Sequence, residues 1–144
     1  MRGSGMADDA LTILVYSDDR NTRDQVRLAL GRRPASDLPR VEFVDVATDW
    51  AVMDHLHRGG IDLAILDGEA APAGGLGVCR TIKQEVFQSP PILLLIGRPQ
   101  DRWLATWSRA DGVVTHPLDP ITTAAAAAEL LRARVAASGV AAPS

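Results

Sequence analysis

The chain has little of several features that would indicate a particular class of protein. It has one cysteine, Cys79, in 144 residues, so it cannot form an internal disulfide, and a reducing cytoplasm is the expected compartment. It lacks an apolar run as long as a membrane-spanning helix and lacks a signal-peptide pattern, so we expect no membrane insertion. Its 15 lysines and arginines are outnumbered by 18 aspartates and glutamates. A basic face for nucleic acid is therefore not expected.

Short apolar segments alternate with amphipathic segments of helical length, which is typical of βαβ units and a parallel sheet. We predict strands at 11–16, 41–46, 61–66, 92–96 and 112–115. We predict helices from Asn21 or Thr22 to 31, from Thr48 or Asp49 to 57, and at 76–87, 101–109 and 119–137. Right-handed crossovers and a switch point between the first and third strands give a flavodoxin-like (βα)₅ doubly wound sheet in the order 2-1-3-4-5.

The length predicts a single domain with a core of its own. Residues 1–5 (MRGSG) precede a second methionine and are interpreted as the remnant of an expression tag. The domain is expected at 6–137, with a flexible tail at 138–144. This division leaves no segment for an effector domain.

Three acidic residues follow the ends of two predicted strands. Asp18 and Asp19 follow the first strand, and Asp67 follows the third. Ligands of an open parallel sheet bind beyond the carboxyl ends of its strands, so these carboxylates are expected in one crevice if the strands are neighbours. Carboxylates held together repel one another unless a hard cation joins them, and Mg²⁺ prefers oxygen ligands. The residues therefore predict a cation-binding crevice.

The order of these features resembles the receiver domain of response regulators, the CheY-like family. The acidic pair, Asp67 after the third strand and the segment Ala110 to Pro117 (ADGVVTHP) stand where the family has its acidic pair, its acceptor and its fifth strand with Lys-Pro. The resemblance implies that Asp67 is the phosphoacceptor, whose carboxylate attacks phosphorus. It also implies that Mg²⁺ is held by Asp18, Asp19, Asp67 and the backbone carbonyl of Glu69.

The switch positions of the family are degenerate here. Ile96 stands where the family has a threonine or serine, Val113 where it has an aromatic residue, and His116 where it has the lysine before Pro117. A phosphoryl group would lose a charge-assisted hydrogen bond worth about 1.5–3 kcal/mol at residue 96. Histidine carries little charge at pH 7, and a lost cation about 4 Å away costs on the order of 4 kcal/mol at an effective dielectric near 20. We therefore expect the usual phosphorylation read-out to be absent.

A second candidate surface lies on the predicted fourth helix. Trp103 and Trp107 are four residues apart and share a helix face, flanked by Arg102 and Arg109. Tryptophan and arginine are the favoured anchors of protein interfaces. We predict a partner-binding face here, with packing of the tryptophans into the core as the alternative.

Three functional hypotheses stay open. The first is an atypical single-domain response regulator, or pseudo-receiver, that acts as an interaction module without conventional phosphorylation switching. Resemblance to stand-alone actinobacterial receivers implies a larger partner such as the respiratory type I NADH dehydrogenase. The second is a conventional Mg²⁺-dependent receiver that a histidine kinase phosphorylates on Asp67. The third is a pseudo-receiver that binds a small molecule in its altered crevice.

No enzymatic activity is expected in any of these cases beyond self-catalysed phosphorylation and dephosphorylation of Asp67. The first two hypotheses differ in whether that acceptor is used. A monomer and a homodimer through the tryptophan-bearing face are both compatible with the sequence.

Overall fold

The structure, a computed structural model, describes residues 10–69 and 75–138, so the predicted tag remnant at 1–5 and the tail after 138 lie outside the described residues. The strands are β1 Leu11–Tyr16, β2 Val41–Val46, β3 Leu63–Asp67, β4 Ile92–Ile96 and β5 Gly112–Thr115. The helices are α1 Arg20–Leu30, α2 Asp49–Arg58, α3 Gly75–Glu85, α4 Arg102–Ser108 and α5 Pro120–Ser138, with a 3₁₀ turn at Pro99–Asp101 before α4.

The five strands form one parallel sheet in the order β2-β1-β3-β4-β5, which confirms the predicted topology. β1 lies between β2 and β3, with Ile13 beside Leu63, and the last residue of β3, Asp67, pairs with Leu95 of β4. The direction of winding changes between β1 and β3. Their carboxyl ends therefore border the crevice in which an open sheet of this kind binds ligands.

Helices cover both faces of the sheet, which explains why its central strands are apolar throughout. One buried cluster lies under α1 and α5 and includes Leu93 and Leu95 of β4. The other lies under α2, α3 and α4 and includes Leu94 and Ile96 of the same strand. None of the helices in the described residues is long and apolar enough to cross a membrane.

Several element boundaries differ from the prediction by one or two residues, and the starts of α1 and β3 have a clear local reason. α1 begins at Arg20, because Asp19 is its N-cap and accepts a hydrogen bond from the backbone N–H of Asn21 at 2.9 Å. Aspartate is among the best N-cap residues. β3 begins at Leu63 and not at 61, because the Asp62 carboxylate accepts from the backbone N–H of Thr12 at 2.9 Å in place of a strand carbonyl.

Cys79 is a fully buried residue of α3. Its thiol donates to the carbonyl of Ser108 at 3.3 Å. Burial raises the pKa of the Cys79 thiol to about 11. The thiol is therefore protonated at neutral pH and is a packing residue rather than a nucleophile.

Candidate functional site

A crevice of about 560 Å³ opens at the carboxyl ends of the central strands. It is lined by residues that follow β1, β3, β4 and β5: Asp18, Asp19, Thr22, Asp67, Glu69, Gly97 and His116. The parallel sheet brings these connections to one edge because every strand ends there. The predicted acidic residues therefore share one crevice.

Asp67 is the buried centre of the crevice, with 3% of its surface exposed. Its Oδ2 atom accepts a hydrogen bond from the Ser17 hydroxyl at 2.8 Å. Its Oδ1 atom accepts from the backbone N–H of Glu69 at 2.9 Å and lies 3.4 Å from Nε2 of His116. Each carboxylate oxygen has two lone-pair sites, so these contacts satisfy the buried group and leave accepting capacity for a cation.

Ser17 is a site residue that the sequence analysis missed. It is fully buried at the end of β1. Its hydroxyl donates to Asp67 and accepts from the backbone N–H of Asp19 at 3.0 Å. A polar residue between an apolar strand and an acidic pair was the available signal, because a buried hydroxyl is expected to have a hydrogen-bond partner.

Asp18 and Asp19 are exposed at the rim of the crevice. Capping of α1 engages the Asp19 carboxylate, with Oδ1 2.9 Å from the Asn21 nitrogen and Oδ2 3.5 Å from Oγ1 of Thr22. Within residues 10–69 and 75–138, no group of three or more acidic, histidine or cysteine residues stands close enough to hold a metal ion. The predicted metal ligands, three carboxylates and one backbone carbonyl, all bind through oxygen. Mg²⁺ in proteins usually keeps several waters and uses one or two carboxylates. The crevice therefore fits a hydrated Mg²⁺ in its chemistry, without a complete protein cage.

The acidic character of the crevice extends to Tyr16, the last residue of β1. Burial raises the pKa of the Tyr16 phenol, and the negative charges of Asp49, Asp18 and Asp67 raise it further. The phenol therefore stays protonated at neutral pH. It does not add a further negative charge beside the carboxylates.

The switch positions at 96, 113 and 116 and the neighbouring Pro117 are divided among the core, the crevice and the surface. Ile96 is 2% exposed and packs in the cluster under α2, α3 and α4, and Val113 packs against the same cluster. His116 lies in the crevice within reach of Asp67, and the next residue, Pro117, is exposed. Of the four, His116 alone has a contact with Asp67 among those described.

The side chain of Glu69 rests on Gly97, a second contact that the sequence analysis missed. A Cβ atom built on Gly97 would lie 2.8 Å from Oε1 and 2.9 Å from Cδ of Glu69. The carboxylate therefore occupies space that any other residue at position 97 would fill. Only the backbone carbonyl of Glu69 had been given a role, and a single glycine after a strand gives little sign of such a contact.

Both tryptophans of the predicted partner face are exposed. Trp103 is 65% exposed and Trp107 is 47% exposed, so packing in the core is excluded. The guanidinium of Arg80 in α3 lies 4.8 Å from the centre of the Trp107 ring and donates to the Trp107 carbonyl at 2.6 Å. Arg102 and Arg109 are also exposed. The face combines aromatic and cationic groups on α4.

An apolar groove of about 550 Å³ adjoins this face. It crosses the amino-terminal part of α3 and is lined by Asp49, Met53, Leu76, Gly77, Val78, Thr81 and Trp107. Trp50 of α2 is 71% exposed. The exposed aromatic surface is therefore concentrated on the α2–α3–α4 layer of helices.

Curated relatives of this chain are known from Mycobacterium tuberculosis. Two proteins, one from strain CDC 1551 and one from strain H37Rv, are each named an uncharacterized response regulatory protein. Each is 55% identical over 124 residues, which cover 86% of this chain and 93% of the relative. No family model matches the chain.

Solved structures share the fold at lower identity. The chemotaxis protein CheY4 of Vibrio cholerae has a TM-score of 0.68 at 18% identity over 84% of this chain and 98% of that one. A CheY-like receiver domain protein of Methanospirillum hungatei has a TM-score of 0.70 at 16% identity over 89% and 98%. The response regulator DrrB of Thermotoga maritima has a TM-score of 0.69 at 20% identity over 86% of this chain, which spans only 54% of DrrB.

Proposed function

This chain belongs to the family of response-regulator receiver domains, and we propose that it is an atypical member that signals through protein contacts and not through phosphorylation of Asp67. It would act in the cytoplasm, docked on a larger protein assembly. The family provides the fold and the acidic crevice. The residues around Asp67 support the atypical function.

Burial of Ile96 is the observation that carries the proposal. Its side chain is 2% exposed at the end of β4 and packs with the core, so it offers a phosphoryl group on Asp67 no hydrogen bond. Val113 packs against the same cluster and has no ring to move inward. A phosphoryl group would then have few contacts that differ between two conformations. A ligand without such differential contacts shifts no equilibrium.

We propose that the crevice binds Mg²⁺ weakly. Asp67 with the exposed Asp18 or Asp19 would hold the ion together with the Glu69 carbonyl and water. The Asp19 carboxylate already caps α1, and ion binding would compete with its hydrogen bonds. This competition supports a low affinity for Mg²⁺. When bound, the cation offsets the mutual repulsion of the carboxylates.

We propose that the partner docks on α4, on the face formed by Trp103, Trp107, Arg102 and Arg109. Exposed tryptophans add no packing energy to the core of the domain. Burial of large aromatic side chains contributes much of the binding energy of interfaces. Contact with Arg80 holds the Trp107 ring in place before binding. Such pre-organisation lowers the entropy cost of association. The named partners, type I NADH dehydrogenase or a histidine kinase, stay predictions.

The wild-type protein is expected to gain no phosphoryl group when it is incubated with acetyl phosphate and excess Mg²⁺. The reason is that the buried Ile96 and the histidine at position 116 leave the phosphoryl group without its usual hydroxyl and lysine. Intact-mass spectrometry measures the gain, and Asp67→Ala gives the background. A gain that requires Asp67 would favour the conventional, histidine-kinase-driven receiver instead.

Replacing Trp103 and Trp107 with alanine is expected to weaken partner binding by at least about 30-fold, since interface anchors often contribute 2 kcal/mol or more. The free energy of unfolding should fall by only about 0.5–1 kcal/mol, because exposed residues contribute little and the lost contact with Arg80 is a surface cation–π pair. Pull-down from a lysate with quantitative mass spectrometry measures retention. Trp50→Ala, at the exposed tryptophan of α2, is the matched control. Equal retention by the double variant and the control would remove α4 as the docking face.

A further inference from the structure

We propose that Glu69, seated on Gly97, is a built-in anion that closes the crevice to phosphoryl donors. Its carboxylate fills the end of β4 beside Asp67 and opposes the arrival of a second anion. This inference rests on the proposed function, in which Asp67 is not switched by a phosphoryl group. It assigns to Glu69 and Gly97 the role of keeping Asp67 unphosphorylated.

The turn after β3 is fixed against β4 by contacts on consecutive residues. The backbone N–H of Gly68 donates to the carbonyl of Leu95 at 2.7 Å, and a Cβ on Gly68 would lie 2.8 Å from that oxygen. The backbone N–H of Glu69 donates to Oδ1 of Asp67 at 2.9 Å. The chain therefore has little freedom at residues 67–69, and the Glu69 side chain is held over the end of β4.

Gly97 provides the space that the carboxylate occupies. The three nearest atoms that a Cβ at position 97 would meet, namely Oε1 at 2.8 Å, Cδ at 2.9 Å and Oε2 at 3.2 Å, belong to Glu69. Glycine at 97 and glutamate at 69 are therefore complementary in shape. An alanine at 97 would be accommodated by moving the flexible end of Glu69 away from β4.

Asp101 raises the pKa of Arg98 most, and the negative charge on Glu69 raises it further, so this cation partly offsets the Glu69 charge. Within the described part of the chain, the Glu69 carboxylate has no ion pair with a cation. The cation that follows Gly97, Arg98, has its guanidinium paired with Asp101, through bonds of 3.1 Å from both Nε and Nη2. An incoming phosphoryl group would therefore meet a negative charge that is held in no ion pair, in addition to Asp18 and Asp19. Like charges that share a crevice disfavour one another, although solvent screens part of the effect at the exposed Glu69.

Acetyl phosphate provides a direct probe of this closure. In the transfer reaction, a carboxylate oxygen of Asp67 forms a bond to phosphorus while the bond from phosphorus to the acetate oxygen breaks, and acetate leaves with the electron pair. The closed crevice opposes the approach of the donor and the charge on the transferred group. Removal of the Glu69 charge should therefore raise the rate of transfer.

The experiment compares Glu69→Gln with its parent in two backgrounds, the wild type and His116→Lys, which restores the family's cation. Intact mass is followed over time with acetyl phosphate, and Mg²⁺ is raised to a plateau for each variant. We expect Glu69→Gln to label at least about tenfold faster than its parent in the His116→Lys background, and to become detectably labelled where the wild type stays unlabelled, because it removes a unit charge from the site. Gly97→Ala should also label faster than its parent, because the added methyl group displaces the Glu69 carboxylate. Glu129→Gln, at an exposed position of α5, is the matched control and should not change the rate.

Equal rates for Glu69→Gln and its parent in both backgrounds, with folding verified by circular dichroism, would overturn the inference. A complete lack of labelling in every variant counts as the same result. The proposed function would survive either outcome, because it requires only that the wild type stays unlabelled. Rapid Asp67-dependent labelling of the wild type would instead overturn the proposed function together with the closure.

Discussion

Gly68→Ala is expected to lower the free energy of unfolding by about 3 kcal/mol, the upper part of the range for overpacked sites. The added Cβ would lie 2.8 Å from the carbonyl oxygen of Leu95. That oxygen is backbone of the interior strand β4 and already accepts a hydrogen bond from Gly68 at 2.7 Å. Neither partner can move without disturbing the pairing of Asp67 with β4, so the cost falls on the sheet itself.

The measurement is urea denaturation followed by far-ultraviolet circular dichroism. Gly77→Ala is the matched control, because a Cβ on Gly77 in α3 would meet nothing within 4 Å. Alanine favours the helix more than glycine, so the control should be unchanged or more stable by up to about 1 kcal/mol. Similar stabilities for the two variants would show that the turn after β3 can move away from β4, contrary to the contacts described above.

Ser17→Ala is expected to lower the free energy of unfolding by about 2–3 kcal/mol. The substitution removes a hydrogen bond to a buried carboxylate, and bonds to charged groups contribute about 1.5–3 kcal/mol. It also removes the acceptor of the Asp19 backbone N–H. The Asp67 Oδ2 atom, which accepts from Ser17 at 2.8 Å, then loses the one hydrogen bond described for it.

Ser108→Ala is the matched control for this second prediction. Ser108 is also fully buried, but its hydroxyl donates to the backbone carbonyl of Ala105 at 3.0 Å, three residues earlier in α4. Loss of a neutral bond costs about 1 kcal/mol. A double-mutant cycle of Ser17→Ala with Asp67→Ala should give a coupling energy of about 1 kcal/mol or more. Additive effects in that cycle would mean that the Ser17 hydroxyl does not stabilise the Asp67 carboxylate.

Local patterns in the sequence predicted most of the fold. The apolar run at Ile92–Ile96 indicated a strand, and it is β4, an interior strand between β3 and β5 whose five residues are all buried. Two predicted helix starts, at Thr48 or Asp49 and at residue 119, coincide with helix caps, since the side chains of Thr48 and Asp119 accept from the backbone N–H groups of Ala51 and Thr122. Such features depend on residues close together in the chain, so a single sequence contains them.

Tertiary contacts account for what the sequence did not reveal. The carboxylates at 18, 19 and 67 were expected to converge, and they line one crevice, yet the cap of α1 engages Asp19. The bond from Ser17 to Asp67 joins two strands, and the contact of Glu69 with Gly97 joins two loops. The hydrophobic pattern and the capping residues of a single helix or strand do not indicate these pairs. The pairs depend on which strands are neighbours in the sheet. The sequence therefore predicted which carboxylates share the crevice, but it did not predict the hydrogen bonds that they make.

The distribution of tryptophan has a consequence for spectroscopy. The chain has three tryptophans, and all of them are exposed, at 71% for Trp50, 65% for Trp103 and 47% for Trp107. Unfolding transfers little indole surface from an apolar environment to water, so intrinsic fluorescence is a poor monitor of folding in this protein. It is a good monitor of binding, because a partner that covers α4 removes two of the three indoles from water. The same rings that add little to the stability of the domain therefore make its association visible without a label.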